Sequence, residues 1–512
     1  MIEDQVQTPT SYGSLLFLLK IVTCLLSILI GKFYWDRRKL YLLSAKLPGP
    51  SGYPFLGSSL EFLGKGTEAI FKVFSEYPKM YSDVHKLWIG PKFFVVVSNP
   101  EWLEIILNSS ITLEKGDVYE FTKPFLGNGL LSAPVHIWKK HRKLMNPSFS
   151  QKILESYMPI FSEQSKILVD ILCSENDGKS FDIFPRMSSC LVDTICETAM
   201  GMKVDTQTTD NHFGKLLDRI MELYFIRLRT AIYYNEYFYS FTEHWKSSHE
   251  IWDTLKNFAE TVISNKRLSF EQNGELNKGA SVDGRRKFES FLDLFIQLSD
   301  EKGSLSDEEL KDEVYTIMVA GSDTTATSTS FCLLILGMYP EIQAKVYEEL
   351  MNVLGEDSDV IWKDLTCLKY MDRVIKECLR IFTPAPLISR RTTGEINIGG
   401  INMPSNTNFI LNYLHLHRNP KYWKDPLKFD PDRFLPEEVA KRHPYSYLLF
   451  SGGPRSCIGS KFAEMNMKTL LAVILRKFEI KTEYKSIEEI ELKINILLRP
   501  TSGFMLSVTP RK

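Results

Sequence analysis

The sequence predicts a mainly α-helical protein with small β-sheets, preceded by one N-terminal membrane-anchor helix. Three observations support this fold class. Apolar side chains recur every three to four residues over most of the chain beyond residue 100, which indicates helices. A continuous apolar run occupies residues 14–30. No linker after residue 60 is rich enough in Gly, Pro or Ser to separate domains, although 512 residues at about 150 per domain would suggest several.

The apolar run at residues 14–30 is just long enough to span a bilayer, and the aromatic residues 33–35 suit the membrane interface. A cleaved signal peptide and a buried core helix are the alternatives. The chain begins with Glu3 and Asp4 and has no small-residue cleavage site, unlike a signal peptide or a mitochondrial presequence. Basic residues 37–39 follow the run, so the positive-inside rule predicts that the rest of the chain is cytosolic.

We therefore expect three parts along the chain. Residues 1–35 form a lumenal tip and the membrane anchor, residues 36–57 form a basic and Pro-rich joint, and residues 58–512 form a single domain. Within the joint, residues 47–54 read LPGPSGYP, a composition that favours a stiff turn over a helix.

The domain begins with a predicted β-hairpin, in which Gly90 and Pro91 separate residues 84–88 from residues 93–97. Pro100 then suits the first turn of the following helix. Periodicity predicts further helices at residues 137–146, 150–173, 186–202, 212–228 and 246–267. The polar segment 272–286 predicts a surface loop.

The second half of the domain contains a capping box, Ser306 to Glu309, that predicts the start of a long helix ending near residue 337. Helices are also expected near residues 340–354, 366–382 and 458–477. Loops and strands fill residues 384–456.

Composition excludes several classes of protein. The chain has 62 Lys+Arg and 63 Asp+Glu, and this balance does not favour binding to nucleic acid. Eight cysteines in a chain of this length exclude a disulfide scaffold, and none of them forms a Cys/His zinc pattern. For most of them, the simplest interpretation is a small buried apolar residue.

Cys457 is the exception, because it lies in the segment FSGGPRSCIG, residues 450–459. A reactive thiolate needs nearby positive charge and N–H donors, and the start of the last predicted helix supplies a favourable dipole. The segment matches F-x-x-G-x-R-x-C-x-G and resembles the haem-ligand loop of the cytochrome P450 family. The resemblance implies the cytochrome P450 fold, an axial thiolate from Cys457, packing of Phe450 beside the sulfur, and contact of Arg455 with a haem propionate. A glycine-rich turn with an incidental cysteine is the alternative.

Two further sets of residues resemble the same family. Glu377 and Arg380 form an E-x-x-R pair, one helical turn apart. Alone such a pair is usually a solvated surface bridge, but Arg433 follows at the family distance and implies a Glu-Arg-Arg network that supports the fold beneath the haem. Trp138, Arg142 and Arg390 lie where relatives contact haem propionates, with core packing as the alternative for Trp138 and with Arg391 as an ambiguous neighbour of Arg390.

The long helix contains AGSDTT, residues 320–325, which resembles the family's oxygen-activation signature. A mid-helix threonine can bond back to a carbonyl and bend the helix. The resemblance implies that Asp323 and Thr324 are catalytic and relay protons during oxygen activation; an ordinary hydroxyl stripe is the alternative. The sequence has no nucleotide fingerprint and no iron–sulfur spacing, so electrons are expected from a partner.

The resemblance to this family covers nearly the whole chain, and the stretches 125–131, 138–143 and 417–420 look specifically like the microsomal family-4 group. Enzymes of that group commonly hydroxylate fatty acids or related lipids, and insect members also act on hormones and xenobiotics. Many of these enzymes carry a Glu that links covalently to haem where this chain has Ala320. An alanine has no nucleophilic oxygen, so we expect haem b to be bound without a covalent link. Predicted substrate-lining residues are Phe121, Phe125, Leu130, Ile317, Ala320 and Leu387.

These features lead to the hypothesis of a haem-thiolate monooxygenase on the endoplasmic reticulum membrane, with a single span, a cytosolic catalytic domain and a small hydrophobic substrate. NADPH–cytochrome P450 reductase is the implied electron donor, and cytochrome b5 is a second candidate. A basic surface at residues 139–143 could meet an acidic partner. Two rival functions stay open: a haem-thiolate isomerase or dehydratase of oxygenated lipids, and a haem- or lipid-binding protein without turnover.

Overall fold

The structure is a computed structural model that describes residues 11–53, 55–61, 66–175, 178–209, 213–276, 290–300 and 305–511. It confirms the predicted fold class, because the body is mainly helical with small β-sheets. The helices of the described ranges are α1 Ser11–Asp36, α2 Arg38–Lys46, α3 Thr67–Met80, α4 Pro100–Asn108, α5 Lys123–Leu126, α6 Val135–Met145, α7 Gln151–Ser156, α8 Met158–Glu175, α9 Phe184–Ala199, α10 Phe213–Arg229, α11 Glu236–Ser240, α12 Glu243–Leu276, α13 Phe291–Asp300, α14 Asp307–Met338, α15 Pro340–Leu354, α16 Trp362–Cys367, α17 Lys369–Ile381, α18 Tyr413–Arg418, α19 Pro436–Val439 and α20 Ser460–Lys477.

The strands are short and lie mostly in the second half of the chain. They are β1 Val84–Ile89, β2 Lys92–Val97, β3 Glu114–Lys115, β4 Phe181–Asp182, β5 Leu387–Arg391, β6 Ile396–Ile398, β7 Ile401–Met403, β8 Asn408–Asn412, β9 Phe478–Lys481, β10 Leu492–Asn495, β11 Leu497–Pro500 and β12 Met505–Pro510. The largest sheet has the order β1-β2-β8-β5-β3, and it contains the predicted hairpin as the antiparallel pair β1-β2. A second sheet has the order β4-β12-β9.

The N-terminal helix α1 projects from the body. The stretch Leu15–Asp36 is apolar and long enough to cross a membrane, and none of it is buried. The following helix α2 docks on the largest sheet, where Leu43 is buried and the ring of Tyr41 stacks on that of Trp88 with centroids 4.9 Å apart. The segment expected to be a joint therefore begins with a helix that is attached to the body.

Local capping residues determine where two important helices start. Asn99 accepts a hydrogen bond from the N–H of Trp102 at the start of α4, with Pro100 in the first turn. Ser306 and Glu309 form the predicted capping box of α14, because each side chain bonds the other residue's backbone N–H.

Two predicted boundaries differ from the structure. The single helix expected at residues 150–173 is divided at Tyr157 into α7 and α8, because Pro159 in the first turn of α8 has no N–H to bond the carbonyl of Glu155 and continue the helix. The loop expected from residue 272 begins later, since α12 continues to Leu276. The rest of that predicted loop, residues 277–286, lies outside the described residues.

The helix α14 forms the centre of the core. It packs most extensively against α9 and also contacts α17, α20 and β9. Most of its side chains from Leu310 to Gly337 are buried. A helix that is apolar on nearly all sides belongs in the interior of a large domain, so α14 is the element around which a functional site can be organised.

Candidate active site

The cysteine loop, residues 450–459, is a tight turn held against the body. The N–H of Cys457 donates to the carbonyl of Phe450 at 3.0 Å, which closes the turn. Gly453 has a φ of +68°, and a Cβ there would lie 2.0 Å from the carbonyl oxygen of Leu107 at the end of α4. Glycine is therefore required at this position, because its backbone is left-handed and lies directly on α4.

The electrostatic surroundings of Cys457 contain opposing influences. Desolvation by the surrounding protein raises the pKa of the thiol, whereas the N–H of Gly459 and the charge of Arg142 lower it. The net effect is a raised pKa, yet the residue is accessible to solvent, so Cys457 is not part of the packed core. Arg142 itself donates to the carbonyl of Ser456 at 2.8 Å. These contacts suit a thiolate that binds a metal.

Three cations lie together beside this loop, the buried Arg390 and Arg455 and the half-buried Lys115, and we call them the cation cluster. Lys115 and Arg390 are cross-strand partners in the β3-β5 pair. Burial and the charges of Arg390 and Arg455 hold the pKa of Lys115 well below its usual range. Arg455 lies over the ring of Trp138 at 4.8 Å and donates to the carbonyls of Leu113 and Ala133.

The cation cluster forms no ion pair with a carboxylate within the described residues, although the larger, lowering effect of burial on the pKa of Arg455 is opposed by the charge of nearby Glu114. The carbonyl contacts of Arg455 carry no charge, and the carboxylate of Glu114 accepts from the N–H of Val135 instead. Adjacent Arg391 differs, because it forms an ion pair with Asp117 at 2.9 Å. Buried charges are normally paired, so the cluster suits an anion such as the two propionates of the haem that the sequence resemblance implies.

A second set of buried charges, which we call the structural network, brings Glu377, Arg380 and Arg433 together. Arg380 forms two hydrogen bonds with Glu377, at 2.7 and 2.9 Å, and the Arg433 Nε lies 3.3 Å from the same carboxylate. Arg380 also donates to the carbonyls of His417 and Pro426. Every guanidinium nitrogen of Arg380 thus has a partner.

The catalytic candidates on α14 occupy a distinct face of that helix. Ala320, Gly321 and Thr324 are half-buried, whereas their neighbours along the helix are buried. Thr324 lies on the same side of the helix as the other two because it follows Ala320 by four residues and Gly321 by three. The hydroxyl of Thr324 donates to the carbonyl of Ala320 at 2.7 Å, so the sequence-predicted back-bond is present.

Asp323 points away from that face and takes part in an ion pair that the sequence did not indicate. Its Oδ1 accepts from Arg499 of β11 at 2.5 Å, while its Oδ2 is buried without a hydrogen-bond partner. Arg499 also pairs with Asp218 of α10, which borders a polar cleft of about 700 Å³. One guanidinium is therefore shared between a buried carboxylate and a half-exposed one.

An apolar cavity of about 170 Å³ lies between α5, α10 and the largest sheet. Of the predicted lining residues, Phe125 and Leu387 line it. Phe121 stacks on Tyr234, which is a lining residue, with ring centroids 5.1 Å apart. Leu130, Ile317 and Ala320 are not among the described residues that line this cavity. The lining consists mostly of the following aliphatic and aromatic side chains: Ile70, Phe74, Ile89, Phe94, Val118, Leu126, Leu131, Met221, Phe225, Leu228, Ile410, Ile494 and Ile496.

Sequence reasoning missed several of these residues. Lys115 lies in a two-residue strand that has no periodic signal, and its proximity to Arg390 depends on sheet pairing. Arg499 carried one available signal, since it is a lone charge in the apolar segment INILLRP. A charged residue within an apolar strand commonly has a buried partner, which here is Asp323.

Comparison with protein families gives one match over most of the chain. The family described as Cytochrome P450 matches residues 47–508. Among solved structures, the heme domain of cytochrome P450DA has a similar fold, with a TM-score of 0.77 over 91% of this chain and 98% of that chain. The sequence identity to that structure is 22%, so this likeness concerns the fold alone.

Curated relatives are more similar in sequence. Cytochrome P450 4c3 of Drosophila melanogaster is 34% identical over 501 residues, which cover 95% of this chain and 93% of that protein. Cytochrome P450 4V2 of Homo sapiens is 36% identical over 467 residues, which cover 90% of this chain and 88% of that protein. Both bear family-4 names, as the sequence resemblance predicted.

Proposed function

The chain belongs to the cytochrome P450 family and is a haem monooxygenase, and on this premise we propose that Cys457 supplies the thiolate ligand and that the substrate is a small hydrophobic molecule. The observation that supports this proposal best is the combination of an accessible cysteine with a cluster of cations that forms no ion pair with a carboxylate. A haem presents both of the complementary groups, a metal for the sulfur and propionates for the cations.

Bound haem with a thiolate ligand supplies an electron-rich iron that favours cleavage of the O–O bond. The residues of this chain would hold and orient it. Lys115, Arg390 and Arg455 offer charge-assisted hydrogen bonds to the propionates, and Trp138 packs against Arg455. Ala320 has no carboxylate, so we propose that the haem is held without a covalent side-chain link.

Proton supply is the second role that we assign to this chain. A monooxygenase consumes two electrons and two protons for each O₂, because one oxygen atom enters the substrate and the other leaves as water. We propose that Asp323 and Thr324 pass these protons by general acid–base catalysis. Arg499 holds Asp323 away from Thr324 in the present arrangement, so Asp323 would have to release this guanidinium when it takes up a proton.

The cavity supports an apolar substrate, namely a fatty acid, a lipid hormone or a xenobiotic. Its lining is mostly aliphatic and aromatic, with a few hydroxyl groups such as those of Thr122 and Ser389. Binding sites of this composition derive affinity from burial of apolar surface and orientation from a few polar groups.

The last two parts of the proposal are the source of the electrons and the attachment of the protein to a membrane. We propose that NADPH–cytochrome P450 reductase donates the electrons, with cytochrome b5 as a second donor, and that both meet the exposed basic residues Lys139, Lys143 and Lys461. The unburied apolar helix α1 supports a single span in the endoplasmic reticulum membrane.

The first experiment is the absorption spectrum of the reduced, CO-bound protein. We expect the band of thiolate-ligated haem in the parent protein and its loss in Cys457→Ser, with Cys367→Ser, an exposed cysteine, as the matched control. The same band in both variants would exclude Cys457 as the ligand.

Turnover distinguishes the proposal from its rivals. Product should form from members of a lipid and xenobiotic panel only when NADPH and reductase are both present. Equal conversion of an oxygenated lipid without them would instead indicate an isomerase or dehydratase. Stable haem with no conversion of any panel member would favour a binding protein.

Thr324→Ala tests the proton role. Removing the hydroxyl should divert electrons from product to hydrogen peroxide, with the yield of product per NADPH reduced at least about tenfold, as expected for loss of a general acid–base contribution. Ser328→Ala, one helical turn further along α14 with the same type of back-bond, is the control. Unchanged coupling in Thr324→Ala would contradict the assigned relay.

A further inference from the structure

We propose that Asp312 and Glu313 of α14 are positioning residues that hold the loop at residues 126–131 closed over the apolar cavity and thereby determine the affinity for a long apolar ligand. We call residues 126–131 the pocket loop, since Leu126 and Leu131 at its two ends line the cavity. The inference rests on the proposed function in that it takes this cavity as the substrate site.

The contacts that carry the proposal are two hydrogen bonds from backbone N–H groups to carboxylates. The N–H of Asn128 donates to Asp312 Oδ2 at 2.7 Å, and the N–H of Leu130 donates to Glu313 Oε2 at 3.0 Å. A bond with an ionised acceptor is shorter and stronger than a neutral one. Two adjacent helix residues therefore hold two alternate N–H groups of the same loop.

Glycines allow the pocket loop to approach α14 this closely. Gly127 has a φ of +51°, and a Cβ there would lie 2.0 Å from Asp312 Oδ1. A Cβ at Gly129 would lie 2.0 Å from the hydroxyl oxygen of Thr316 and 2.5 Å from the carbonyl oxygen of Asp312. The backbone of the loop thus lies directly on the helix, and a larger residue at either position would lift it from the carboxylates.

The pocket loop is internally compact, so it can move as a unit. The N–H of Gly129 donates to the carbonyl of Leu126 at 3.1 Å, and the hydroxyl of Ser132 donates to the carbonyl of Gly127 at 2.9 Å. These bonds lie within the loop and its following residue and would survive its detachment from α14. Within the described part of the chain, the side chains of α14 that bond to this loop are those of Asp312 and Glu313.

The buried His141 contacts the carboxylate oxygen of Glu313 that does not bond the pocket loop. Its Oε1 lies 2.6 Å from His141 Nδ1, and His141 Nε2 lies 3.2 Å from Glu309. His141 and Glu313 are both fully buried. The carboxylates of Glu309 and Glu313 raise the pKa of His141 against the effect of its burial. The histidine therefore fixes Glu313 and connects the pocket loop to α6, the helix that carries Trp138 and Arg142.

The effect on ligand binding depends on the fraction of protein molecules in which the pocket loop is closed. If the closed loop is one of two states, the apparent dissociation constant of a ligand that needs it rises in proportion as the closed fraction falls. A ligand that does not reach the loop is unaffected. We take the closed and open states to be similarly populated in the parent protein. Loss of one hydrogen bond then shifts their equilibrium by a factor of about 5 to 10, which raises the apparent dissociation constant about 3- to 5-fold.

The test compares two ligands with the same iron-binding group, 1-methylimidazole and 1-dodecylimidazole. Both report binding through the shift of the haem absorption band, and their affinity ratio isolates the contribution of the apolar tail. The variants are Asp312→Ala, which removes the acceptor, and Asp312→Asn, which keeps a carbonyl oxygen for the N–H of Asn128. Glu308→Ala, an exposed carboxylate one turn earlier in α14, is the matched control.

We expect Asp312→Ala to weaken dodecylimidazole binding about 3- to 5-fold while the affinity for methylimidazole stays within about twofold. Asp312→Asn should recover most of the loss, and Glu308→Ala should bind like the parent protein. Gly129→Ala lifts the loop from α14 through a clash with Thr316 and the carbonyl of Asp312, and should reproduce the selective loss. This second variant keeps the proposal testable if Asp312→Ala folds poorly.

Several results would overturn the inference. An unchanged affinity ratio in both Asp312→Ala and Gly129→Ala would show that the loop does not control the tail site. An equal loss for both ligands would place the effect at the haem, and a loss in Asp312→Asn as large as in Asp312→Ala would exclude the hydrogen bond as its cause. Failure of the parent protein to bind methylimidazole at all would instead contradict the proposed haem function and leave no basis for the positioning role.

Discussion

The structural network and the cation cluster are two sets of buried charges that differ in their partners. In the structural network, Arg380 and Arg433 both pair with the carboxylate of Glu377. In the cation cluster, the buried Arg390 and Arg455 and the half-buried Lys115 have carbonyl or aromatic contacts but no ion pair with a carboxylate. A buried charge that is fully paired supports the fold, whereas one without a counter-charge destabilises the fold unless a ligand supplies it. The difference separates residues that maintain the protein from residues that recognise a ligand.

The largest expected effect is the loss of Glu377. Glu377→Ala leaves two buried guanidinium groups without a counter-charge, and we expect a loss of about 3–5 kcal/mol in the free energy of unfolding. Urea unfolding at neutral pH measures it. Asp432→Ala is the matched control, because Asp432 pairs with Arg373 at the exposed surface and should contribute at most about 1 kcal/mol. Equal effects of the two substitutions would refute the distinction between buried and surface pairs.

A decrease of intermediate size in the free energy of unfolding is expected when the pH is lowered. It arises from the buried His417, whose carbonyl accepts a hydrogen bond from Arg380. Burial, together with the charges of Arg380 and Arg418, lowers the pKa of His417 to about 3. In the unfolded chain the same histidine takes up a proton near pH 6.5. Its contribution to the free energy of unfolding is therefore fully present above that pH and is lost as the pH falls toward the pKa of the histidine in the folded protein. Between pH 7 and pH 5, this histidine alone should account for a loss of about 2 kcal/mol.

His417→Gln should remove that component of the pH dependence, even if it lowers stability at pH 7. The exposed His136→Gln should leave the slope unchanged. Unfolding free energies measured at both pH values for the parent and the two variants provide the comparison. An identical slope in His417→Gln would mean that another group dominates acid unfolding in this range.

The smallest effect on stability is expected in the cation cluster. Arg390→Met removes a buried charge that has no carboxylate partner, so the haem-free protein should be as stable as the parent within about 1 kcal/mol, or more stable. Haem, in contrast, should be retained less well, and its transfer to an acceptor protein should be about tenfold faster. Arg391→Met, which breaks the ion pair with Asp117, is the control and should not affect haem retention. Destabilisation of the haem-free protein by Arg390→Met would place Arg390 with the structural network.

Sequence reasoning was most successful where the chemistry is local. The capping box at Ser306 and the cysteine loop are contiguous segments, and their geometry follows from neighbouring residues. The Glu377–Arg380 pair is one helical turn apart, so a spacing rule is sufficient to place both side chains on one face. The family resemblance extended this reasoning to Arg433, which lies more than fifty residues later.

Other features depend on contacts between distant segments. The partner of Asp323 is Arg499, separated by 176 residues, and no spacing rule connects them. The pocket loop is attached to α14 by backbone N–H groups, which have no sequence signature at all.

The sequence by itself determined the helical class, the apolar helix at the N-terminus, the family and the identity of the cysteine proposed to bind iron, because each depends on short-range pattern or on a contiguous motif. Only the tertiary structure decided which of the many charged residues are buried, which of those are paired, and which carboxylates hold the pocket loop. Burial and pairing depend on how distant segments pack, and the energy of a charge depends on that environment rather than on its neighbours in the chain.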